Sequence, residues 1–246
     1  IAGREPLLEY RADNGLIRDG HGDLLAEDVF CLPDGPRALD CLDFSDRLRW
    51  LDVLDDAACL AMDLERLGAP RLAASFMRWY EEFSGIPQPV SLEHHYIAYR
   101  AFMRAKVAGV RAGQGVPTEV PVAQRLADIS MRHLSAARVR LVLVGGAPGT
   151  GKSTLAEALS DRIGATLLRA DRVRKEVVGI DPRTHAPAEP GQGIYDRATT
   201  NRTYDELLRR AEQALAMGES VVLDASFASA EHRVTAEALA RRVSAD

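Results

Sequence analysis

The sequence holds only three cysteines in 246 residues, at positions 31, 41 and 59, an odd number with no metal-like spacing. A disulfide scaffold is therefore improbable by composition, and a reducing compartment is expected. No apolar run reaches the length of a membrane-spanning helix and no secretory leader is recognisable, so the expectation is a soluble, cytoplasmic protein. Excess positive charge is missing too. The formal net charge of -5 gives no support for a general nucleic-acid surface, while a local basic pocket stays open. Internal repeats and low-complexity tracts are absent. The first residue is Ile1 rather than methionine, so the chain is expected to begin inside a longer protein. What remains, 46% apolar residues over this length, suits two ordinary domains with real cores.

The strongest pattern lies past the middle. Leu141 to Val144 read as a buried parallel strand that runs into Gly146-Ala147-Pro148-Gly149-Thr150-Gly151-Lys152-Ser153-Thr154, and Leu155, Ala156, Leu159 and Ile163 follow at helical spacing. This is the phosphate-binding loop pattern in the strand-loop-helix context it requires. Its glycines let backbone N–H groups turn inward around anionic oxygens, and the helix opening near Lys152 adds its unsatisfied amides. Lys152 is expected to reach the β- and γ-phosphates of a nucleotide, and the Ser153 hydroxyl to hold Mg²⁺.

Two further strands are expected, 165–170 and 220–224, each ending in or just before a carboxylate. In an open α/β sheet the ligand crevice lies at the carboxyl ends of the strands. Asp171 is accordingly placed to orient and deprotonate an acceptor hydroxyl, Arg174 to hold an anionic group, and Asp224 to position Mg²⁺ or its water. The bland readings are a helix cap for Asp171 and simple strand-end solvation for Asp224. Residues 179–193, rich in proline and glycine and containing His185, suggest a wall of the acceptor pocket. Helices are expected over 195–218, with Tyr204, Leu207 and Leu208 in its core stripe, and over 231–243.

The first half reads as mostly helical from Leu51 to His133, with apolar stripes at Leu54, Ala58 and Met62, at Leu72, Phe76, Tyr80 and Phe83, and at Tyr96, Tyr99, Phe102 and Met103. Adjacent His94 and His95 point in different directions and make a poor metal pair. Before the helices, His21-Gly22-Asp23, Asp28 and the stretch Asp40-Cys41-Leu42-Asp43 suggest a loop and a hairpin strand that bring carboxylates to one cleft. The alternative is that these acids cap helices and pair with Arg47 and Arg49. The stretch 113–121 is the best break between regions, and a helix over 122–137 leads to the strand at Leu141.

His21-Gly22-Asp23, the acid five positions later, the Asp40 to Asp43 strand and Asp52-Val-Leu-Asp55-Asp56 together resemble the C-terminal lobe of aminoglycoside-phosphotransferase-like kinases. The resemblance implies that Asp23 is the catalytic-loop aspartate, that Asp28 stands where the family has a metal-binding asparagine, and that Asp40, or alternatively Asp43, supplies the second metal carboxylate. Such kinases cover ATP with an N-terminal lobe, which 20 residues cannot contain. Residues 139–246 resemble a small P-loop kinase domain, through Gly146 to Thr154, Asp171 with Arg174-Lys175, and Val221 to Phe227 with Arg233 as a further substrate or phosphate contact. The expected fold is an α/β P-loop domain with a parallel sheet, preceded by a mostly helical kinase-like lobe over 1–120 and a connecting helix over 121–138. The resemblance implies ATP and Mg²⁺ as cofactors, and phosphotransfer to a small hydroxyl-bearing acceptor. A regulatory nucleotide-binding module and a polynucleotide 5′-hydroxyl kinase are the alternatives. The last domain is expected to stop short of the lid arginine and adenine-side loop of a complete kinase.

Overall fold

The computed structural model describes residues 2–181 and 193–246. The chain forms two compact units, Leu8–Ala137 and Arg138–Asp246, the second including Ile1–Leu7. In chain order the first elements are α1 (Glu5–Asp13), β1 (Ile17–Asp19), β2 (Val29–Leu32), β3 (Gly35–Ala38), the single turn α2 (Asp46–Arg49), β4 (Trp50–Asp52), α3 (Val53–Arg66), α4 (Pro70–Ser84), α5 (Val90–Gly113) and α6 (Glu119–Ala136). Strands β1 and β4 pair antiparallel, as do β2 and β3.

Helix α3 is the axis of this unit. Leu54, Ala58 and Met62 are fully buried along it, as their spacing predicts. Its start is fixed by Asp52, whose carboxylate caps the helix through the N–H of Leu54 at 2.9 Å and forms a forked ion pair with Arg11, the second arm at 2.7 Å. The buried faces of the next two helices differ from expectation. Helix α4 buries Ala73 and Met77 while Leu72 and Phe83 face solvent, and α5 buries Leu92, Ile97, Ala98, Ala101 and Ala108 while Tyr99, Phe102 and Met103 lie largely exposed. Small side chains let a neighbouring helix backbone approach closely. Helix α6 uses this, donating the Ser130 hydroxyl to the Ala98 carbonyl at 3.0 Å. The expected strand at Asp40 to Asp43 is also displaced: the hairpin closes on the two residues Pro33 and Asp34, and β3 ends at Ala38. Asp40 then takes a left-handed backbone, φ 64°, which breaks the extended run.

The second unit contains β5 (Leu141–Val144), α7 (Lys152–Ile163), β6 (Thr166–Arg169), α8 (Ala170–Val177), α9 (Arg197–Ala216), β7 (Val221–Asp224) and α10 (Ala230–Arg242). Its parallel sheet has the order β5-β7-β6. Alternation along the central strand divides the core. Val221 and Leu223 face a large cluster with Val173, Leu207, Ala211, Leu215 and Leu239, whereas Val222 faces a smaller one with Val144 and Ala156 under α7. Arg4 belongs here as well, donating to the Val243 carbonyl at 2.6 Å and so satisfying an orphan acceptor at the end of α10.

Arg11 is 1% and Asp52 5% exposed, so removing one charge strands the other out of water. Asp52→Asn is expected to lower stability by about 3 kcal/mol, read from the urea midpoint by far-UV circular dichroism. The double variant Arg11→Met, Asp52→Asn should recover part of that loss, and an unchanged midpoint in the single variant would contradict the assignment.

Candidate functional site

The ends of the three parallel strands finish level. Asp224 stands in register with Val144 on one side and Arg169 on the other, and is itself buried. The glycine-rich loop begins directly after Val144 and is tied to the turn beyond β7: Gly146 donates its N–H to the Ser226 carbonyl at 3.1 Å, and Ala225 donates to the Val144 carbonyl at 3.3 Å. Two glycines are required where they stand. Gly151 caps α7 with φ 81°, and Gly146 has φ 150° with only 3.3 Å between its missing Cβ and both Lys152 Cδ and Thr150 Oγ1. Lys152 folds back so that Nζ donates to the Ala147 carbonyl at 2.8 Å, and the Thr150 hydroxyl donates to the same oxygen at 2.8 Å.

A cleft of about 520 Å³ opens beside the loop, with Lys152, Ser153, Asp171, Arg174 and Asp224 among its walls. The Ser153 hydroxyl and the Asp224 carboxylate are hard oxygen donors, the kind Mg²⁺ takes together with phosphate oxygens and water. Among the described residues no three His, Cys, Asp or Glu side chains converge as a metal cluster, so an ion here would rest on few protein ligands. Asp171 lies in the first turn of α8, and its carboxylate pairs with Lys175 one turn on, at 2.8 Å.

Residues 141–246 match a family model described as an AAA domain. They form an AAA-type P-loop NTPase-like domain. Uncharacterized protein Rv2004c of Mycobacterium tuberculosis and uncharacterized protein Mb2027c of Mycobacterium bovis are each 46% identical over all 246 residues. The chain spans about half the length of these curated relatives, 49% of each. No solved structure matches the chain.

Several side chains of the AAA domain occupy places that motif spacing did not reveal. Arg174 is buried; Nη1 donates to the Ile194 carbonyl at 3.0 Å and to Thr200 Oγ1 at 3.1 Å, and the guanidinium stacks 4.9 Å over the Tyr195 ring. Arg233, expected at phosphate or substrate, donates to the carbonyls of Phe227 and Ala228. It thereby secures a turn in which Phe227 has φ 45°, a left-handed conformation unusual for a bulky residue. Tyr204 was legible only as core. Its hydroxyl accepts the Phe227 N–H at 2.9 Å and sits 3.2 Å from the Ser226 hydroxyl, while its ring stacks on His232 at 3.7 Å. Of the expected pocket wall, residues 182–192 with His185 lie outside the described residues, and Asp181 lines a cleft with Asp171 and Asp224.

In the helical unit Asp23 and Asp28 are engaged by other groups. Asp23 accepts from Arg104 at 3.0 Å and lies 3.9 Å from the Cys59 thiol, which burial pushes up to about 12 and so keeps neutral. Asp28 accepts the Leu25 N–H at 3.0 Å, and Asp40 and Asp43 are exposed. Helix α3 holds the loop carrying Asp23: Asp56 accepts the Gly22 N–H at 2.8 Å and Asp63 the Ala26 N–H at 3.0 Å. Arg100 forks onto Asp55 at 2.7 and 2.8 Å. Of the two anticipated arginine partners, Arg49 pairs with Asp19 at 2.7 Å. His94 Nδ1 meets His133 Nδ1 at 2.9 Å across α5 and α6.

Tyr204→Phe removes the acceptor of a buried N–H in the turn that anchors Gly146. It is expected to lower stability by about 1–3 kcal/mol. Amide hydrogen exchange should show the loss of protection concentrated at Phe227 and Gly146; protection unchanged at both would refute the link.

Proposed function

We propose that the AAA domain binds Mg·ATP and transfers its γ-phosphoryl group to a hydroxyl of a small molecule. The observation that carries the reading is the convergence of Lys152, Ser153, Asp171 and Asp224 on one cleft at the carboxyl ends of the sheet. Lys152, released from the Ala147 carbonyl, neutralises charge on the β- and γ-phosphates, and the loop and the start of α7 present N–H groups to the same oxygens. Bound Mg²⁺ would supply charge neutralisation across the phosphates, with Ser153 and Asp224 as its protein ligands. Asp171 accepts the hydroxyl proton as the acceptor oxygen bonds to the γ-phosphorus. The bond from that phosphorus to the bridging oxygen breaks, and ADP leaves with the electron pair.

A second reading, a nucleotide-responsive regulatory or interaction module, is favoured by the engagement of Asp23 with Arg104 in the helical unit. In the phosphotransfer reading Asp23 is secondary, or serves a separate reaction with Asp28 and Asp40 as its metal side chains.

Titration with a fluorescent ATP analogue separates nucleotide binding from chemistry. Lys152→Ala is expected to weaken binding by roughly tenfold or more, and equal affinity in a folded variant would refute the phosphate-loop assignment.

Asp171→Asn should leave nucleotide affinity nearly unchanged while lowering single-turnover transfer by about 10²–10⁴, measured with an acceptor found by library screening of the full-length protein. Asp23→Asn should leave the same transfer largely intact. Loss of transfer only in Asp23→Asn would reverse the two roles, and acceptor-independent ATP turnover would favour the regulatory reading.

A further inference from the structure

We propose that the acceptor carries a phosphate or carboxylate group and that Arg169 is the residue that selects it. The inference rests on the phosphotransfer reading above and names the substrate class of that same cleft.

Arg169 is the one charged residue of β6, Thr166-Leu167-Leu168-Arg169. Its alternate neighbour Leu167 packs in the apolar cluster beneath α7, so Arg169 leaves the sheet on the same face. There its Nε is buried and has no hydrogen-bond partner among the described residues. A terminal nitrogen reaches the Glu157 carboxylate on α7 at 3.2 Å. A guanidinium donor withdrawn from water without an acceptor is unfavourable, and buried polar groups are otherwise nearly always paired.

Arg169 lines a cleft of about 950 Å³ together with Ser153, Asp171, Arg172, Asp181 and Asp224. Ser153, Asp171 and Asp224 also line the phosphate-loop cleft, so the two spaces meet at the proposed proton acceptor. An acceptor lying across them puts its hydroxyl at Asp171, toward the γ-phosphate, and its far end against Arg169. The planar fork of a guanidinium matches the paired oxygens of a phosphate or carboxylate, which a neutral polyol cannot offer. The present partner is a weak competitor: the Arg169 and Glu157 side chains are 40% and 62% exposed, and exposed ion pairs exchange readily. Arg172 at the rim is held by Glu176 at 3.0 Å and so is the lesser contributor.

The test uses the whole chain saturated with Mg²⁺ and a nonhydrolysable ATP analogue, titrated calorimetrically with glycerol 3-phosphate, glycerate and glycerol. One or both anions should bind and glycerol should not, and the tighter anion distinguishes phosphate from carboxylate. Arg169→Gln should weaken anion binding by about tenfold or more while the analogue binds as before, which also shows that the variant is folded. Glu157→Gln, which frees the fork, should strengthen it. Binding of glycerol as tight as that of the anions, no binding of either anion, or an unchanged Arg169→Gln overturns the proposal. Failure of the wild-type chain to bind the analogue would overturn the phosphate-loop reading instead; the anion titrations then run without nucleotide and are judged by the same variants.

Discussion

The parallel ladder of β7 is the constraint on which the C-terminal unit depends. Hydrogen-bonded on both edges and covered on both faces, it can shift register only by moving Val221, Val222 and Leu223 out of two separate apolar clusters. That fixed register sets Asp224 beside Val144, from which the glycine loop departs, and beside Arg169, from which α8 begins. Three side-chain functions from distant sequence positions are thus brought together by backbone geometry rather than by direct bonds among them.

The turn beyond β7 transmits the same constraint to the loop. Phe227 in a left-handed conformation costs about 1 kcal/mol or more, and such a residue persists only where its surroundings over-determine it. Tyr204 from α9 and Arg233 from α10 do this, one accepting the Phe227 N–H and the other donating to its carbonyl. Ser226, whose hydroxyl lies 3.2 Å from that of Tyr204, offers its carbonyl to Gly146. The loop itself is exposed and contributes little apolar burial, so its shape is maintained from below by groups that never reach a ligand.

The fold was legible in the sequence where one pattern had one interpretation. The strand-loop-helix at Leu141 to Ile163 and the strands ending at Arg169 and Asp224 follow from short apolar runs bounded by glycine or charge, and the α/β architecture after a helical region is the one observed. The aromatic stripes of α4 and α5 misled because Ala73, Ala98 and Ala101 have the same periodicity with a different phase, and close helix packing selected the small residues. The hairpin was displaced because a two-residue turn at Pro33 and Asp34 fixes the register before Asp40 is reached. The gathering of Lys152, Ser153, Asp171 and Asp224 at one cleft could be read from position. The partners of Arg174 and Arg233 could not, because an arginine bonded to backbone carbonyls has no local signature. Arg169 did carry a signal, a lone charge closing an apolar strand.

The two units contain similar acids in different electrostatic circumstances. Asp23 is half-buried beside Arg104, near a thiol too high in pKa to ionise, on a loop pinned by Asp56 and Asp63. Freeing that carboxylate for a substrate would leave the Arg104 charge to find another partner. Asp171 pairs with Lys175 within one turn of its own helix and keeps 61% of its side chain exposed. Exposed helix pairs contribute about 0.3–0.5 kcal/mol, but the Lys175 side chain is only 12% exposed, so turning the carboxylate away from it costs more than that. The same residue type is therefore half-buried beside an arginine in one unit and largely exposed beside a lysine of its own helix in the other.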